Sequence, residues 1–208
     1  MTAVSSPRFE IAATLPPGAS KQQIPAMLQA LLADRFQLKL HSGSVTEAVY
    51  ALVTMRGGFN MPAAATQAAD EDAGDDPIGF YGAVQDRAEG SATIISSPLI
   101  GRVKQTDAGD HLHLRWEADG ITCEGVAELL DKVAPLSVPI VDMTRRSGRY
   151  QFALEVLMPN RLPPDELESA VVRAFNTGLR KLGLQLERRR GTVSSLVVDQ
   201  VERVPTGN

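Results

Sequence analysis

The chain has 208 residues and a mass of 22.3 kDa, enough for one full domain or two small ones around a sizeable core. Hydrophobic residues at 43% and charged residues at 22% are globular values and exclude a mostly disordered chain. A net charge of −4 offers no global attraction for nucleic acid or anionic lipid. No run reaches the roughly 18 apolar residues of a membrane span, and the single cysteine, Cys123, excludes an intrachain disulfide framework.

The first residues, Met1 to Pro7, carry neither a basic nor an apolar stretch, so no signal peptide is expected in this chain. The alternation in Phe9-Glu10-Ile11-Ala12-Ala13 predicts a short strand. Ser20 and Gln23 suggest a capping box for a helix with Ile24, Met27, Leu28, Leu31 and Leu32 on one face and Pro25 in its first turn. The period then becomes two. Phe36, Leu38 and Leu40 predict a half-buried strand, Ser42-Gly43-Ser44 a turn, and Val49 to Met55 a second strand.

Residues 60–76 are Ala-rich with an acidic cluster from Asp70 to Asp76. They lack the spacing of a calcium loop, and a solvated linker is expected there. Phe80 and Tyr81 are candidate anchors in a stretch of weak signal, and Thr93-Ile94-Ile95 is a candidate strand. Arg102–Lys104 and His111–Trp116 predict strands about a turn. Thr122 is placed to cap a short helix with Val126, Leu129, Leu130 and Val133 on its apolar face, ended by Pro135. A strand at Pro139–Asp142 and a turn at Arg145–Gly148 precede a strand with Tyr150, Phe152, Leu154 and Val156 on one face. A helix capped by Asp165 and closed by Gly183 follows, then a strand Leu184–Glu187, a turn at Arg190-Gly191, and a final strand Val193–Val201.

The first and last thirds therefore read in the same order. The expected fold is α+β, with two related β-α-β-β lobes and helices on one face of mixed or antiparallel sheets. The expected organisation is a first unit over 1–59, a linker or irregular loop over 60–100, and a second unit over 101–208.

The segments Ala26–Phe36, Leu38–His41, Val49–Val53, Val126–Leu130, Pro139–Thr144, Gly148–Phe152, Leu182–Glu187 and Val197–Glu202 together resemble a soil-associated family of uncharacterised proteins abundant in acidobacteria. The lobes also resemble the short N-terminal domains of secretins and TonB-dependent receptors. The resemblance implies no established activity. It implies a periplasmic or secreted setting, with a leader and a strand-rich portion ahead of the first residue here; a cytoplasmic setting stays open on the sequence itself. Some relatives are similar to the sensor portion of membrane-anchored regulatory peptidases, which implies ligand sensing or partner docking. Arg145 and Arg146 stand where the family's turn usually has glycine and leucine.

Candidate chemistry is sparse. His111 and His113, two apart on one predicted strand, supply two metal ligands where zinc needs three or four, so no metal or other cofactor is expected. Asp142 and Glu155 are strand carboxylates that join the two histidines as candidate ligand-binding residues. Arg145, Arg146 and Arg149, with Arg188, Arg189 and Arg190, form candidate basic patches. Without interleaved aromatic residues and with a negative net charge, they do not predict nucleic-acid binding. Cys123 is expected to be a buried packing residue. No nucleophile elbow, zinc-protease or phosphate-loop pattern occurs, and no catalytic residue is assigned. The expected role is a non-catalytic extracytoplasmic module for a protein partner or small ligand, with homodimerisation by sheet-edge pairing possible in principle and no membrane insertion. The alternative is a hydrolase using Asp and His residues in a cleft between lobes.

Overall fold

The computed structural model describes residues 9–11, 14, 16, 18, 23–64, 92–97, 99–110, 112–134 and 136–206. Ser20, the acidic cluster at Asp70–Asp76, Phe80, Tyr81, His111 and Pro135 lie outside the described residues. In chain order the elements are α1 (Ile24–Phe36), β1 (Lys39–Thr54), β2 (Ala92–Ser97), β3 (Gly101–Asp107), β4 (His113–Ile121), α2 (Cys123–Val133), β5 (Ile140–Asp142), β6 (Tyr150–Leu157), α3 (Pro164–Leu179) and β7 (Leu184–Gln200). One sheet has the order β5-β1-β7 and the other the order β2-β3-β4-β6, giving the α+β class among the described residues.

The chain divides into two compact units. Unit 1 comprises Met1–Ser44, Asp76–Ile78 and Ser194–Asn208, and unit 2 comprises Val45–Asp75 and Gly79–Val193. The boundary falls inside β1 and β7.

Unit 2 holds the core. Its four-stranded sheet is antiparallel throughout, with Lys104 opposite Glu117 and Trp116 opposite Leu154. Alternation sends Val103, Trp116, Phe152, Leu154 and Val156 inward, and all five are buried. The Trp116 Nε1–H donates to Gln105 Oε1 at 2.8 Å, which satisfies the polar atom of a fully buried ring. Helix α2 starts where Thr122 Oγ1 accepts from the Gly125 N–H at 2.9 Å, and its Val126, Leu129 and Leu130 are fully buried. Helix α3 buries Val171, Phe175 and Leu179, with Phe175 6.3 Å from the Trp116 ring. Parallel pairing of β1 with β5 sets Tyr50 opposite Ile140 and Leu52 opposite Asp142.

Glycines set the closest approaches. A Cβ at Gly125 would stand 2.6 Å from the Leu99 carbonyl oxygen, and one at Gly178 would stand 2.6 Å from that of Glu155. Gly183 has φ +71, and its Cβ would overlap the Gly58 carbonyl oxygen. After the 3-10 turn at Arg180–Leu182, the chain crosses that backbone and enters β7.

Unit 1 is built differently. Helix α1 has Pro25 in its first turn, as its sequence predicts, and ends at Gln37 with φ 49. Its expected apolar stripe is only half-buried, and no described residue of unit 1 is buried. The remaining strand ends, Lys39–Ser44 and Ser194–Gln200, are antiparallel neighbours: His41 meets Asp199, and Gly43 lies against Val197.

Several local expectations are corrected. No turn occurs at Ser42-Gly43-Ser44 or at Arg190-Gly191; β1 and β7 run through both as strands of 16 and 17 residues. Gly191 is there for space, since a Cβ would stand 2.6 Å from Met143 Cε and 2.8 Å from Val49 Cγ2. Phe9–Ile11 forms no strand. Asp165 lies inside the first turn of α3, after the N-cap Pro163, which has no side chain to bond the free amides. Helix α1 is half-buried and α3 deeply packed, so the burial of the two helices lends no support to the internal repeat expected from element order.

Arg145 also has a left-handed backbone, φ 58, at the position where the resemblance leads one to expect glycine. Opposite effects follow at the two left-handed sites. Gly183→Ala is expected to destabilise by about 2 kcal/mol or more through overlap with Gly58, and Arg145→Gly to stabilise by about 0.5–1 kcal/mol through relief of strain. Denaturant unfolding of both variants checks this, and equal effects at the two positions would refute it.

Candidate functional site

The predicted site residues fall into three places in unit 2. His113 opens β4, and its Nδ1 lies 2.5 Å from Asp110 Oδ2, while Asp110 Oδ1 accepts from the backbone N–H groups of Leu112 and His113, each at 2.9 Å. Those bonds, the His113 amide first, hold the Asp110 carboxyl well below the usual carboxylate range. Glu155 faces Arg115 across the β4–β6 pair and accepts from its guanidinium, which also donates to Glu117 Oε1 at 2.8 Å. The bond from Arg115 depresses the Glu117 carboxyl. His113, Arg115 and Glu155 line an open groove of about 360 Å³ together with Thr106, Asp107 and Leu157. The structure thus brings two predicted residues, His113 and Glu155, to one groove, and His111 lies outside the described residues.

Asp142 is elsewhere, at the end of β5. Its Oδ1 accepts from the Thr144 N–H at 2.8 Å and shapes the turn that follows. Cys123 is fully buried close to this turn. Burial pushes its thiol up, a smaller opposing effect coming from a hydrogen bond with Thr144. It packs as the sequence predicts and is poorly suited to act as a nucleophile.

The two basic patches are mostly engaged. Arg146 lies 5.1 Å over the Phe59 ring, whose edge meets Tyr150 at 4.8 Å, and Arg149 Nη1 donates to the Gly120 carbonyl at 2.9 Å. Arg145 is exposed. On β7, Arg189 donates to Glu187 Oε2 at 2.9 Å, Arg190 donates to the Thr46 carbonyl at 3.1 Å, and Arg188 reaches Glu168 at 3.7 Å.

A further network escaped the sequence reading. The buried Tyr50 hydroxyl donates to Glu168 Oε1 at 2.9 Å, Glu168 Oε2 accepts from the Ser137 N–H at 3.3 Å, and Arg188 stands 5.9 Å over the Tyr50 ring. Burial and then Glu168 raise the Tyr50 hydroxyl, while the bonds from Ser137 and Tyr50 lower the Glu168 carboxyl. Its members come from four distant segments, so no local spacing announces it. Among the described residues, no group of three or more His, Cys, Asp or Glu residues is placed to hold a metal ion. Among them, too, no helix is long and apolar enough to cross a membrane.

In the groove His113 is paired with Asp110 and Arg115 with Glu155, so these side chains offer a surface of mutually bonded charge. The model of the DUF3738 family, whose description is "protein of unknown function", matches residues 2–201. The chain belongs to the DUF3738 family. No curated protein and no solved structure matches it significantly. In this DUF3738 chain the remaining apolar side chains open to solvent include Leu40, Leu196 and Val198, all on unit 1.

The depressed Glu168 gives a signed pH effect. A carboxylate whose folded pKa lies below its ordinary value of 4.5 contributes stability in full above that value, and the contribution fades as pH falls through the folded value. Glu168→Gln is therefore expected to flatten the loss of stability between about pH 5 and pH 3. Unfolding titrations across that range check it, and an unchanged slope would count against the network. Cys123 is expected to resist a thiol reagent at about pH 8 until the chain unfolds, because burial disfavours the thiolate. Rapid labelling of the native chain would contradict that.

Proposed function

We propose that this DUF3738 chain is a non-catalytic binding module that takes up an extended strand of a protein partner along unit 1. The observation that carries the reading is the contrast between the units. Unit 2 closes a full core, whereas unit 1 buries no described residue and exposes Leu196 at 72% and Val198 at 54% on one strand. An isolated two-stranded ribbon is marginal in water, and exposed apolar side chains on a strand edge are what strand addition uses. We further propose an extracytoplasmic setting, on the sequence resemblance alone. The likeness to soil-associated, acidobacterial proteins and to secretin and TonB-dependent receptor domains stands on the same footing.

The hydrolase alternative has less support. His113 is bonded to Asp110, Glu155 to Arg115, and Asp142 to the Thr144 amide, so each candidate acid or base among the described residues is occupied in a structural contact. Small-ligand binding in the His113–Glu155 groove is a second reading, favoured by the Arg115 guanidinium on its wall.

A fluorescent probe of apolar surface, anilinonaphthalene sulfonate, tests the main reading. The dilute chain is expected to bind the dye, and the double variant Leu196→Ser with Val198→Ser to lose most of the signal while keeping its helical circular dichroism. Absence of dye binding, or a signal indifferent to these substitutions, would overturn the reading.

A further inference from the structure

Strand β7 is the last strand of its sheet among the described residues, and its outer edge has a legible register. The Leu186 N–H donates to Asn176 Oδ1 at 2.6 Å, and the Leu186 carbonyl accepts from Asn176 Nδ2 at 3.1 Å. A side-chain amide of α3 thus occupies the edge at Leu186 as a neighbouring strand would. Backbone groups alternate along a strand, so those of Ser194, Leu196 and Val198 point the same way as those of Leu186.

Between Arg190 and Asp199 this edge, among the described residues, carries none of the usual safeguards. From Gly191 to Val198 it has no proline and no charged residue, and the strand is 17 residues long. Exposed edges in monomers are ordinarily short, kinked or charged.

The charge along β7 is polar in sequence. Arg188, Arg189 and Arg190 come first, and Asp199 comes last, followed by Glu202. A parallel neighbour of the same sequence would set arginine against arginine. An antiparallel neighbour brings the arginine end of one strand to the acidic end of the other. Outward-facing residues must oppose outward-facing residues, and a two-fold axis at Ser194 satisfies this. It places Thr192 opposite Leu196, Arg190 opposite Val198, and Arg189 opposite Asp199 at both ends. Arg189 and Asp199 are about half exposed, 50% and 46%, while bonded to Glu187 and His41 respectively, so each keeps a face for a second partner.

We propose that the extended strand taken up by β7 is β7 of a second copy of this chain, paired antiparallel about Ser194 with Arg189 against the partner's Asp199. This rests on the strand-docking reading above and names its occupant.

Light scattering on the full chain after gel filtration, from about 1 to 200 µM, tests it. The expected result is a concentration-dependent dimer. Val198→Pro removes an outward N–H without touching the bonds to β1, and Leu196→Lys adds a charge at the same edge; both are expected to leave monomers with unchanged circular dichroism. Arg189→Glu and Asp199→Arg are each expected to weaken the dimer by about tenfold or more, and the double reversal to restore it to within about threefold. Rescue by the double reversal is not expected from a merely structural role for either residue. A chain monomeric at every concentration, or a dimer indifferent to the edge variants or to charge reversal, would overturn the proposal. A monomer that still binds the apolar dye leaves strand docking standing with another occupant; a monomer that does not bind it removes both.

Discussion

Close approach of helix to sheet, allowed by glycine, is the constraint on which unit 2 depends. Gly125 brings α2 against the Leu99–Ile100 backbone, and Gly178 brings α3 against Leu154 and Glu155. Any side chain at either position would lift its helix off the sheet. With the helices seated, Phe175 reaches Trp116, and Leu129, Leu130 and Leu179 lose all exposure. Burying side chains of this size contributes about 1.5–3 kcal/mol each, so a shift that opens the layer forfeits several such terms at once. The same seating brings Asn176 alongside β7 at Leu186, and the crossing of Gly183 over Gly58 starts that strand in register.

The two units differ in how much they bury. On unit 2, Arg115 is paired with Glu117 and Glu155, and His113 with Asp110. Such exposed pairs contribute little to stability. Unit 1 has helix α1, a two-stranded ribbon and no buried described residue. Hydrogen bonds tie its segments together. The Glu202 N–H donates to the Phe36 carbonyl at 2.7 Å, the Thr206 N–H to that of Arg35 at 2.8 Å, and His41 to Asp199 at 2.8 Å. A two-stranded ribbon of that kind is marginal in water by itself.

Much of unit 2 was legible in the sequence because its strands alternate and its helices carry apolar faces. The Tyr150–Val156 alternation, the Thr122 cap and the closing role of Gly183 all follow from local chemistry. The long strands are not legible, because glycine and serine favour turns on local chemistry alone. At Gly43 and Gly191 the absence of a side chain serves a neighbour, Val197 in one case and Met143 with Val49 in the other. The stripe on α1 departs for the opposite reason: periodicity reports a face fit for burial, and among the described residues that face is only partly covered. Of the candidate site, the sequence supplied His113 and Glu155, which share a groove, and Asp142, which does not join them. The Tyr50–Glu168–Arg188 network and the outer edge of β7 depend on tertiary assembly, which residue spacing does not encode.

The central claim is that stability resides in unit 2, while unit 1 is held in readiness for a strand partner. Hydrogen exchange of the dilute full chain, resolved by peptide, measures this directly. The account predicts slow exchange over residues 113–133 and 150–179, and fast exchange over 24–44 and 194–200 that slows as concentration rises. Equally slow exchange in both sets at the lowest concentration would contradict it, since unit 1 would then be stable without any partner.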